Sequence, residues 1–372
     1  MSAELLAAES SYGALSSSNP TRRALRAPGR PRPQSFHDAF DARTLFYDCF
    51  WRDGGRQILL VGPPGLTAER FIARPSRTAL RVSTHTSLSV TVTALEGAPT
   101  DTQSIEVTAA GEILPLTVRP SSAENLTGRR LLFSVNKDND LAWIREWALF
   151  HATLHGTDAV VLFDNGSTRY SREDIEATLR EVPGIAKVAV PQWPVSFGPI
   201  DPAVRVNPYW ARFFQISTMS VALRRYGERA YGLLNCDIDE LVGTKSGTSI
   251  YDLAKRSRGG LIAFRGTWIE PTHEGARHRD YTRRLADPKA AQSRQRKWAL
   301  DPSRAWVRSL AVHPYWHWIH GRPPFSKTMP ADATYWHFKP ISTNWKVKRT
   351  DVPVGETVED SELAAAFARL PE

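Results

Sequence analysis

The stretch LLFSVNKDNDLAWIREWALFHATLHGTDAVVLFDNGS, residues 131–167, decides the fold. It begins with an apolar run, 131–136, and contains a second one, 159–163. Between the two runs, large apolar side chains recur at the spacing of one helix face: Trp143, Trp147, Phe150 and Leu154. Gly156 is a typical helix end. The pattern therefore predicts a strand, a helix and a second strand.

The same alternation continues towards the C-terminus. A capping-box start at Ser171 predicts another helix, and the runs 186–190 and 231–235 predict a third and a fourth strand. A helix capped by Asn207 is expected between these two strands. Four apolar strands that alternate with helices predict an α/β fold with a mainly parallel sheet, flanking helices and right-handed crossovers.

Polar side chains follow all four predicted strands. They come in pairs: Asn136 with Lys137, Asp164 with Asn165, Gln192 with Trp193, and Asp237 with Asp239. Ligands bind at the carboxyl ends of the strands in such sheets, so we expect these side chains to line one site. The chain has neither GxGxxG nor GxxxxGK[ST], so we expect no glycine-rich phosphate loop.

The fourth strand ends in DIDE, residues 237–240, which places three carboxylates within four residues. Unpaired carboxylates at a buried strand end repel each other. Hard cations such as Mg²⁺ and Mn²⁺ prefer carboxylate oxygens and share their shell with substrate phosphates. The cluster therefore predicts a metal and diphosphate site, with a solvated loop of incidental acids as the alternative.

In order and spacing these elements resemble glycosyltransferases of the GT-A (Rossmann-like) fold, and more closely the family 2-like and family 92-like groups. In that pattern Asn ends the first strand, Glu-Trp and His lie on the first helix, and Gly-x-Asp and Asp-Asn-x-Ser flank the second strand. This chain matches with Asn136, Glu146, Trp147, His151, Gly156, Asp158, Asp164, Asn165 and Ser167. The resemblance continues through QWP (192–194), Gln215, DIDE (237–240), Lys297, His313, WHF (336–338) and Ser342.

The resemblance implies an enzyme that moves a sugar from a nucleotide-diphosphate sugar to an acceptor hydroxyl. The acceptor would be a carbohydrate or a lipid-linked molecule, and we expect a role in the synthesis of a surface polysaccharide. The donor would be held by Asn136, Asp164, Asn165, Asp237 and Lys297. A bound Mn²⁺ or Mg²⁺ would stabilise the charge that develops on the leaving diphosphate.

Asp237 and Asp239 are the first two metal ligands that the resemblance implies. A third ligand in such enzymes often comes from a segment like the aromatic-rich tail, and neutral imidazole binds Mn²⁺ well. We expect His313 in this role, with His337 as the second choice and stacking among tryptophans as the alternative for both. Glu240 is expected to brace the loop behind the metal and not to be a ligand itself.

Glu146 and His151 are expected to support the strand-end loops, the alternative being a helix ion pair and a core histidine. An inverting reaction also needs a general base for the acceptor hydroxyl. The stretch FRGTWIEPTHEG, residues 264–275, offers Glu270 at a strand end and Glu274 four residues later. We expect Glu270 to be the base. The pair departs from the Glu-Asp pair of inverting family 2 members, so the stereochemical outcome stays open.

Composition narrows the class of protein. The 372 residues carry a net charge of +9 with a pI near 9.7, and the excess is concentrated in 21–33 and 277–308. Such patches suit phosphates or an anionic membrane surface, and no nucleic-acid-binding motif accompanies them. Two distant cysteines, Cys49 and Cys236, give no disulfide framework, and no apolar run reaches the roughly 18 residues of a membrane span. We expect a cytoplasmic protein that contacts membranes at most peripherally.

Four regions are expected along the chain. Residues 1–35 predict a disordered lead-in, and 36–120 a small β-rich domain of short strands. The GT-A domain is expected over 130–345, and 346–372 forms a C-terminal tail with a helix.

Two other functions fit parts of the sequence. A phosphatase of the haloacid-dehalogenase type also uses Asp-x-Asp after an apolar strand, with the first Asp as nucleophile. That fold usually carries the motif on its first strand, and the sequence reveals neither its later lysine nor its acidic pair. A non-catalytic carbohydrate-binding protein built on the β-rich part is the other alternative, which leaves the strand-end acids unexplained.

Overall fold

The computed structural model describes residues 2–200, 211–343 and 355–371. The chain begins with strands β1 (Glu4–Leu5) and β2 (Gly13–Ala14) and helix α1 (Gln34–Ala39). The predicted helix cap Asn207 lies outside the described residues, as does the part of the tail from 346 to 354.

The next region consists of short strands, as the sequence predicts. They are β3 (Thr44–Phe46), β4 (Asp48–Arg52), β5 (Gln57–Gly62), β6 (Arg70–Arg74), β7 (Arg81–Thr86), β8 (Thr91–Glu96), β9 (Ser104–Ala109) and β10 (Glu112–Thr117). They form a four-stranded sheet in the order β4-β5-β8-β7, a three-stranded sheet in the order β10-β9-β6, and the pair β2-β3.

The α/β unit follows. Its elements are β11 (Arg130–Asn136), α2 (Leu141–His155), β12 (Ala159–Asp164), α3 (Arg172–Arg180), β13 (Lys187–Ala189), α4 (Phe213–Val221) and β14 (Gly232–Asn235). Helix α2 is capped by Asp140 and ends at Gly156, whose φ of 65° is left-handed. Ser171 and Asp174 form the expected capping box of α3. A single π-helical stretch, Ala222–Gly227, extends α4.

The C-terminal half adds strands of both directions. They are β15 (Glu240–Thr244), β16 (Leu261–Ile269), β17 (Arg283–Leu285), β18 (Gln292–Leu300), β19 (His313–Pro314), β20 (Ile319–His320), β21 (Lys327–Thr328), β22 (Ala333–Phe338) and β23 (Thr357–Glu359). The helices are α5 (Ile250–Arg256), α6 (Pro288–Ala291) and α7 (Ser361–Phe367). Helix α7 lies in the tail, where the sequence predicts a helix.

One ten-stranded sheet joins these parts in the order β1-β13-β12-β11-β14-β18-β16-β22-β15, with β21 paired to β16. The five strands from β1 to β14 are parallel, and β18 is antiparallel to both of its neighbours. The structure thus confirms a mainly parallel sheet flanked by helices. Within the described residues, none of the helices is long and apolar enough to cross a membrane.

Side chains of each parallel strand alternate between two apolar layers, because successive residues of a strand point to opposite faces. Leu131 and Phe133 of β11 face one layer, which includes Tyr47 and Phe50 of the β-rich region. Leu132 faces the other layer, with α2, α3 and α5. The β-rich region therefore shares part of its core with the large sheet, in addition to a smaller core of its own.

The lead-in departs from the expected disorder. Glu4 and Leu5 pair with Lys187 and Val188 at the edge of the large sheet. Arg23 is buried and donates from its Nε to the carbonyl oxygen of Pro64 at 2.6 Å. The unpaired backbone groups at the edge of a sheet can pair with a short strand from elsewhere in the chain. The composition of the lead-in contains no information about such an edge, and it therefore predicted disorder.

A buried ion pair joins the lead-in, the β-rich region and α4. Arg225 donates to the carboxylate of Asp48 at 2.9 Å, and both side chains are fully buried. The same guanidinium donates to the carbonyl oxygens of Glu9 and Pro120 at 2.9 and 3.2 Å. Burial alone would lower the pKa of Arg225, but Asp48 raises it, so the guanidinium stays charged.

We predict that Arg225→Met lowers the free energy of unfolding by about 3–5 kcal/mol, because it leaves Asp48 buried without a countercharge. Arg229→Met is the control, since Arg229 pairs with Glu124 at the exposed surface and should contribute less than about 1 kcal/mol. Urea denaturation of the three proteins measures the difference. Equal losses in both variants would contradict the importance of the buried pair.

Candidate functional site

The acid cluster forms a tight turn between β14 and β15. The N–H of Glu240 donates to the carbonyl oxygen of Asp237 at 3.0 Å, and the Asp237 N–H donates to the Glu240 carboxylate at 2.9 Å. The side chains of Asp237 and Asp239 are 43% and 21% exposed, whereas that of Glu240 is 1% exposed. Two carboxylates therefore reach the surface, and the third closes the turn from behind.

Lys297 lies on β18, antiparallel to β14, and its fully buried ammonium group lies between two of these acids. Its Nζ is 2.7 Å from Asp237 Oδ2 and 2.8 Å from Glu240 Oε2. Burial opposes the charge, but the two carboxylates raise the pKa of Lys297 well above its usual value. Burial raises the pKa of Glu240, and Lys297 opposes that rise. Lys297 thus offsets part of the negative charge of the acid turn, and a contact with the donor stays a prediction.

His337 of β22 completes a group of three side chains that could hold a metal. Its Nε2 is 3.1 Å from Asp239 Oδ2, and its Nδ1 is 3.8 Å from Glu240 Oε1. The ring stacks on Trp268 with 3.9 Å between the ring centroids. Ligand atoms of Asp239, Glu240 and His337 all lie within 4.8 Å of one another. Two carboxylates and one imidazole are a donor set that suits Mn²⁺.

A buried oxygen supports this assignment. Among the described residues, Glu240 Oε1 accepts no hydrogen bond although it is buried. A buried carboxylate oxygen without a donor is costly, and a cation between it, Asp239 and His337 would remove that cost. The residues present therefore fit a divalent metal ion.

His313, the first choice for the third ligand, is not in this group. It lies on β19 opposite His320 of β20, with 6.2 Å between the ring centroids. Burial, followed by the charge of nearby Arg224, lowers the pKa of His313 to about 3. The β19–β20 hairpin thus holds His313 in a buried place near Arg224 and His320. The second choice, His337, takes the place beside Asp239 because β22 pairs with β15.

The first two strand ends come together as expected. Asn136 and Asp164 are partners in the register of β11 and β12, and Asp164 bridges to Gln192. Asp164 accepts from Asn136 Nδ2 at 2.8 Å and from the Ser167 N–H and hydroxyl at 3.0 and 2.5 Å. Asn165 donates to the carbonyl oxygens of Trp193 and Val195, both at 2.8 Å. These buried groups hold the strand-end loops in place, and their contact with a donor stays a prediction.

Glu146 supports the acid turn through a residue that sequence reasoning missed. His278 donates from Nε2 to the carbonyl oxygen of Ile238 at 2.8 Å, and its Nδ1 lies 3.5 Å from the Glu146 carboxylate. Burial alone would raise the pKa of Glu146, but His278 and the ion pair with Arg279 lower it to about 2. His278 lies outside any recognisable motif, so no signal in the sequence pointed to it.

Two histidines of α2 fix the strand that follows the turn. His151 accepts at Nε2 from the Val242 N–H at 3.2 Å, and His155 donates from Nε2 to the Val242 carbonyl at 2.8 Å. Burial lowers the pKa of His151 to about 3 and that of His155 to about 4. The i, i+4 spacing of the two histidines was a signal that could have identified His155.

Glu270, the expected base, lies at the end of β16 and is fully buried. Lys339 donates to both of its carboxylate oxygens, at 2.6 and 2.7 Å. The ammonium group competes with an acceptor hydroxyl for the carboxylate, so Glu270 could accept a proton only after that ion pair opens. A catalytic role for Glu270 stays a prediction.

The basic stretch 277–308 is partly neutralised within the fold. Several of its side chains pair with acids: Arg279 with Glu146, Arg284 with Asp360, Lys297 with Asp237 and Glu240, and Arg304 with Asp301. Much of the positive charge of this stretch is therefore engaged in ion pairs within the fold. A contact of the stretch with a membrane stays a prediction.

No family model and no curated protein matches the chain. Similar solved structures include S. aureus TarS 1–349, with 12% identity and a TM-score of 0.33 over 57% of this chain and 61% of that one. Another is the bifunctional glycosyltransferase WbbM without ligand, with 10% identity and a TM-score of 0.26 over 55% of this chain and 39% of that one. The chain spans less than two thirds of either protein, and similarity this weak carries no argument about function.

We predict that acid destabilises the protein through His151 and His155. Their folded pKa values, about 3 and 4, lie below the ordinary value of 6.5, so below pH 6.5 only the unfolded chain takes up these protons. As the pH falls from 6.5 towards its folded pKa, each histidine then lowers the free energy of unfolding by about 1.4 kcal/mol per pH unit. Urea denaturation at several pH values measures the slope, which His151→Gln should reduce and His37→Gln, at an exposed histidine, should not.

Lys297→Met should cost about 3–5 kcal/mol of unfolding free energy, because it leaves Glu240 buried beside Asp237 without a countercharge. Adding Glu240→Gln should restore part of that loss, since it removes one of the two unpaired charges. Lys245→Met, at an exposed pair with Glu362, is the control with an expected change under about 1 kcal/mol. A double variant no more stable than Lys297→Met would refute this coupling.

Proposed function

We propose that the protein is a metal-dependent glycosyltransferase that moves a sugar from a nucleotide-diphosphate sugar to an acceptor hydroxyl. The observation that carries the proposal is the group formed by Asp239, Glu240 and His337 at the end of a central parallel strand. A cation site on that edge, where ligands of α/β sheets bind, suits a substrate that brings its own phosphates. The resemblance of the motifs from 131 to 345 supports the same activity.

In this proposal four side chains divide the work. Asp239 would hold the metal from the surface side and His337 from the buried side, and Asp237 would lie on the donor side, where the metal separates it from the diphosphate. Glu240 would complete the shell with Oε1, while its Oε2 keeps the turn closed through Lys297. The metal would supply positive charge to the leaving diphosphate. Because Lys297 offsets only part of the negative charge of the turn, the remaining negative charge is available to the cation.

The acceptor step needs a base, and Glu270 stays our candidate. Its carboxylate is held by Lys339, and Lys339 lies 5.9 Å from the ring of Trp268, on which His337 stacks. An acceptor bound above Trp268 would therefore be next to both the metal group and Glu270. In this proposal the Lys339 side chain would move from Glu270 to another anion, such as a donor phosphate. Glu270 would then be able to accept the hydroxyl proton.

One contact favours the phosphatase alternative. Its lysine, which the sequence did not reveal, has a counterpart in Lys297, whose Nζ is 2.7 Å from Asp237. In that reading Asp237 would attack a phosphate monoester. The location of Asp237 on the fourth strand of the unit, between β11 and β18, disfavours this alternative.

The central test is donor binding with and without metal. Calorimetric titration of a panel of nucleotide sugars should detect binding that requires Mn²⁺ or Mg²⁺, and EDTA should abolish it. We predict that Asp239→Asn and His337→Gln each weaken metal-dependent binding by at least about 100-fold, since both remove a ligand atom. The same variants should lose slow hydrolysis of the donor sugar.

Asp101→Asn, at an exposed aspartate far along the sequence from the site, is the matched control and should bind like the unchanged protein. Metal-independent donor binding, or equal binding by Asp239→Asn, would refute the proposal. Release of phosphate from simple monoesters that is lost in Asp237→Asn would establish the phosphatase alternative instead. Sugar binding without any donor binding would favour the non-catalytic carbohydrate-binding protein.

A further inference from the structure

A second concave site lies at the same edge of the large sheet. It is a cleft of about 470 Å³ between the loop that follows β13 and the N-terminal part of the chain. Its lining consists of Ser10, Tyr12, residues 40–44, Tyr47 and residues 192–196. Three strand spacings separate the end of β13 from the end of β14, so these two strand ends lie roughly 14 Å apart.

Aromatic rings form one wall of the cleft. Tyr47 stacks on Trp193 with 5.5 Å between the ring centroids, and Tyr12 lies 6.5 Å from Tyr47. Because these rings already contact one another, a planar nucleobase cannot insert between two of them. Tyr12 is half exposed and therefore offers a single free aromatic surface. A single ring surface suits the apolar face of a sugar better than it suits a base that must be enclosed on both sides.

The polar groups of the cleft suit a neutral ligand that carries hydroxyls. Gln192 Nε2 is buried and, within the described part of the chain, donates no hydrogen bond. Asp41 and Arg43 are the charged residues among the described lining. The Asp41 carboxylate already accepts from the Tyr47 hydroxyl at 2.5 Å and from the Thr44 N–H at 3.1 Å. An unpaired buried amide is costly, and a ligand hydroxyl would satisfy it once the Gln192 side chain turns towards the cleft.

We propose that this cleft binds a neutral sugar unit of an extended carbohydrate, which stacks on Tyr12 and accepts a hydrogen bond from Gln192. If the protein is a glycosyltransferase as proposed above, the carbohydrate is the acceptor, and its bound unit lies a few sugar rings from the end that reacts. The N-terminal part of the chain, which supplies Tyr12, then acts as an acceptor-holding element. Binding of the carbohydrate itself requires neither donor nor metal.

Calorimetric titration of the full chain with cellotetraose, chitotetraose and maltotetraose, in EDTA and without donor, tests the proposal. We expect at least one of them to bind with a Kd below about 10 mM. Tyr12→Ala should weaken that binding about tenfold and Gln192→Ala roughly fivefold, the losses expected for one ring contact and one hydrogen bond. Phe325→Ala removes an aromatic side chain of 61% exposure outside the cleft and should have no effect.

One further variant, Asp239→Asn at the metal site, keeps the outcomes distinct, because it should lose donor binding and still bind the oligosaccharide. If the unchanged protein binds the oligosaccharide but no donor, the transferase is refuted and the cleft proposal stays intact. Thermal denaturation checks that Tyr12→Ala and Gln192→Ala stay folded. Absence of binding by all three oligosaccharides, or binding that neither variant weakens, would overturn the proposal. The proposal would also be overturned if Tyr12→Ala lowered the affinity for a nucleoside diphosphate and left the affinity for the oligosaccharide unchanged.

Discussion

A lysine buried between two carboxylates is the interaction on which the site depends. Lys297 contacts Asp237 and Glu240 and thereby joins the antiparallel strand β18 to the end of the parallel strand β14. Without that positive charge, Glu240 would be an isolated buried anion, which costs several kcal/mol. With it, the turn holds two acids at the surface and keeps a third behind them. Lys297 thus offsets part of the negative charge of the turn from inside the fold, and the charge that remains at the surface favours a cation.

The parallel strands create the edge, and neighbouring elements fix its geometry. Glu146 with His278 holds the backbone of Ile238, while His151 and His155 hold both polar groups of Val242. These contacts restrain the chain on both sides of the acid turn. A site whose ligands must meet within a few ångströms needs such rigid support, because a small displacement separates them. Five of the ten strands of the sheet pair in parallel to form this edge, with the N-terminal β1 included.

The parts of the fold that could be predicted are those with local signals. The helix from Leu141 to His155, its glycine stop and the capping box at Ser171 follow from residue spacing, and the structure has all three. The lead-in was predicted wrongly, because its order comes from pairing with β13 and from the burial of Arg23. Neither contact has a counterpart in the local sequence. The same reason explains why His278 was missed.

The sequence by itself determined the alternation of strands and helices, and hence that Asn136, Asp164 and Asp237 follow parallel strands and lie along one edge of the sheet. That follows from hydrophobic periodicity, which is a property of short segments. Only the tertiary structure decided which distant side chain meets the acid turn. The pairing of β22 with β15 and β16 brings His337 to Asp239, whereas a short hairpin pairs His313 with His320 instead. Such a choice depends on strand pairing across about one hundred residues, and no local pattern of residues encodes it.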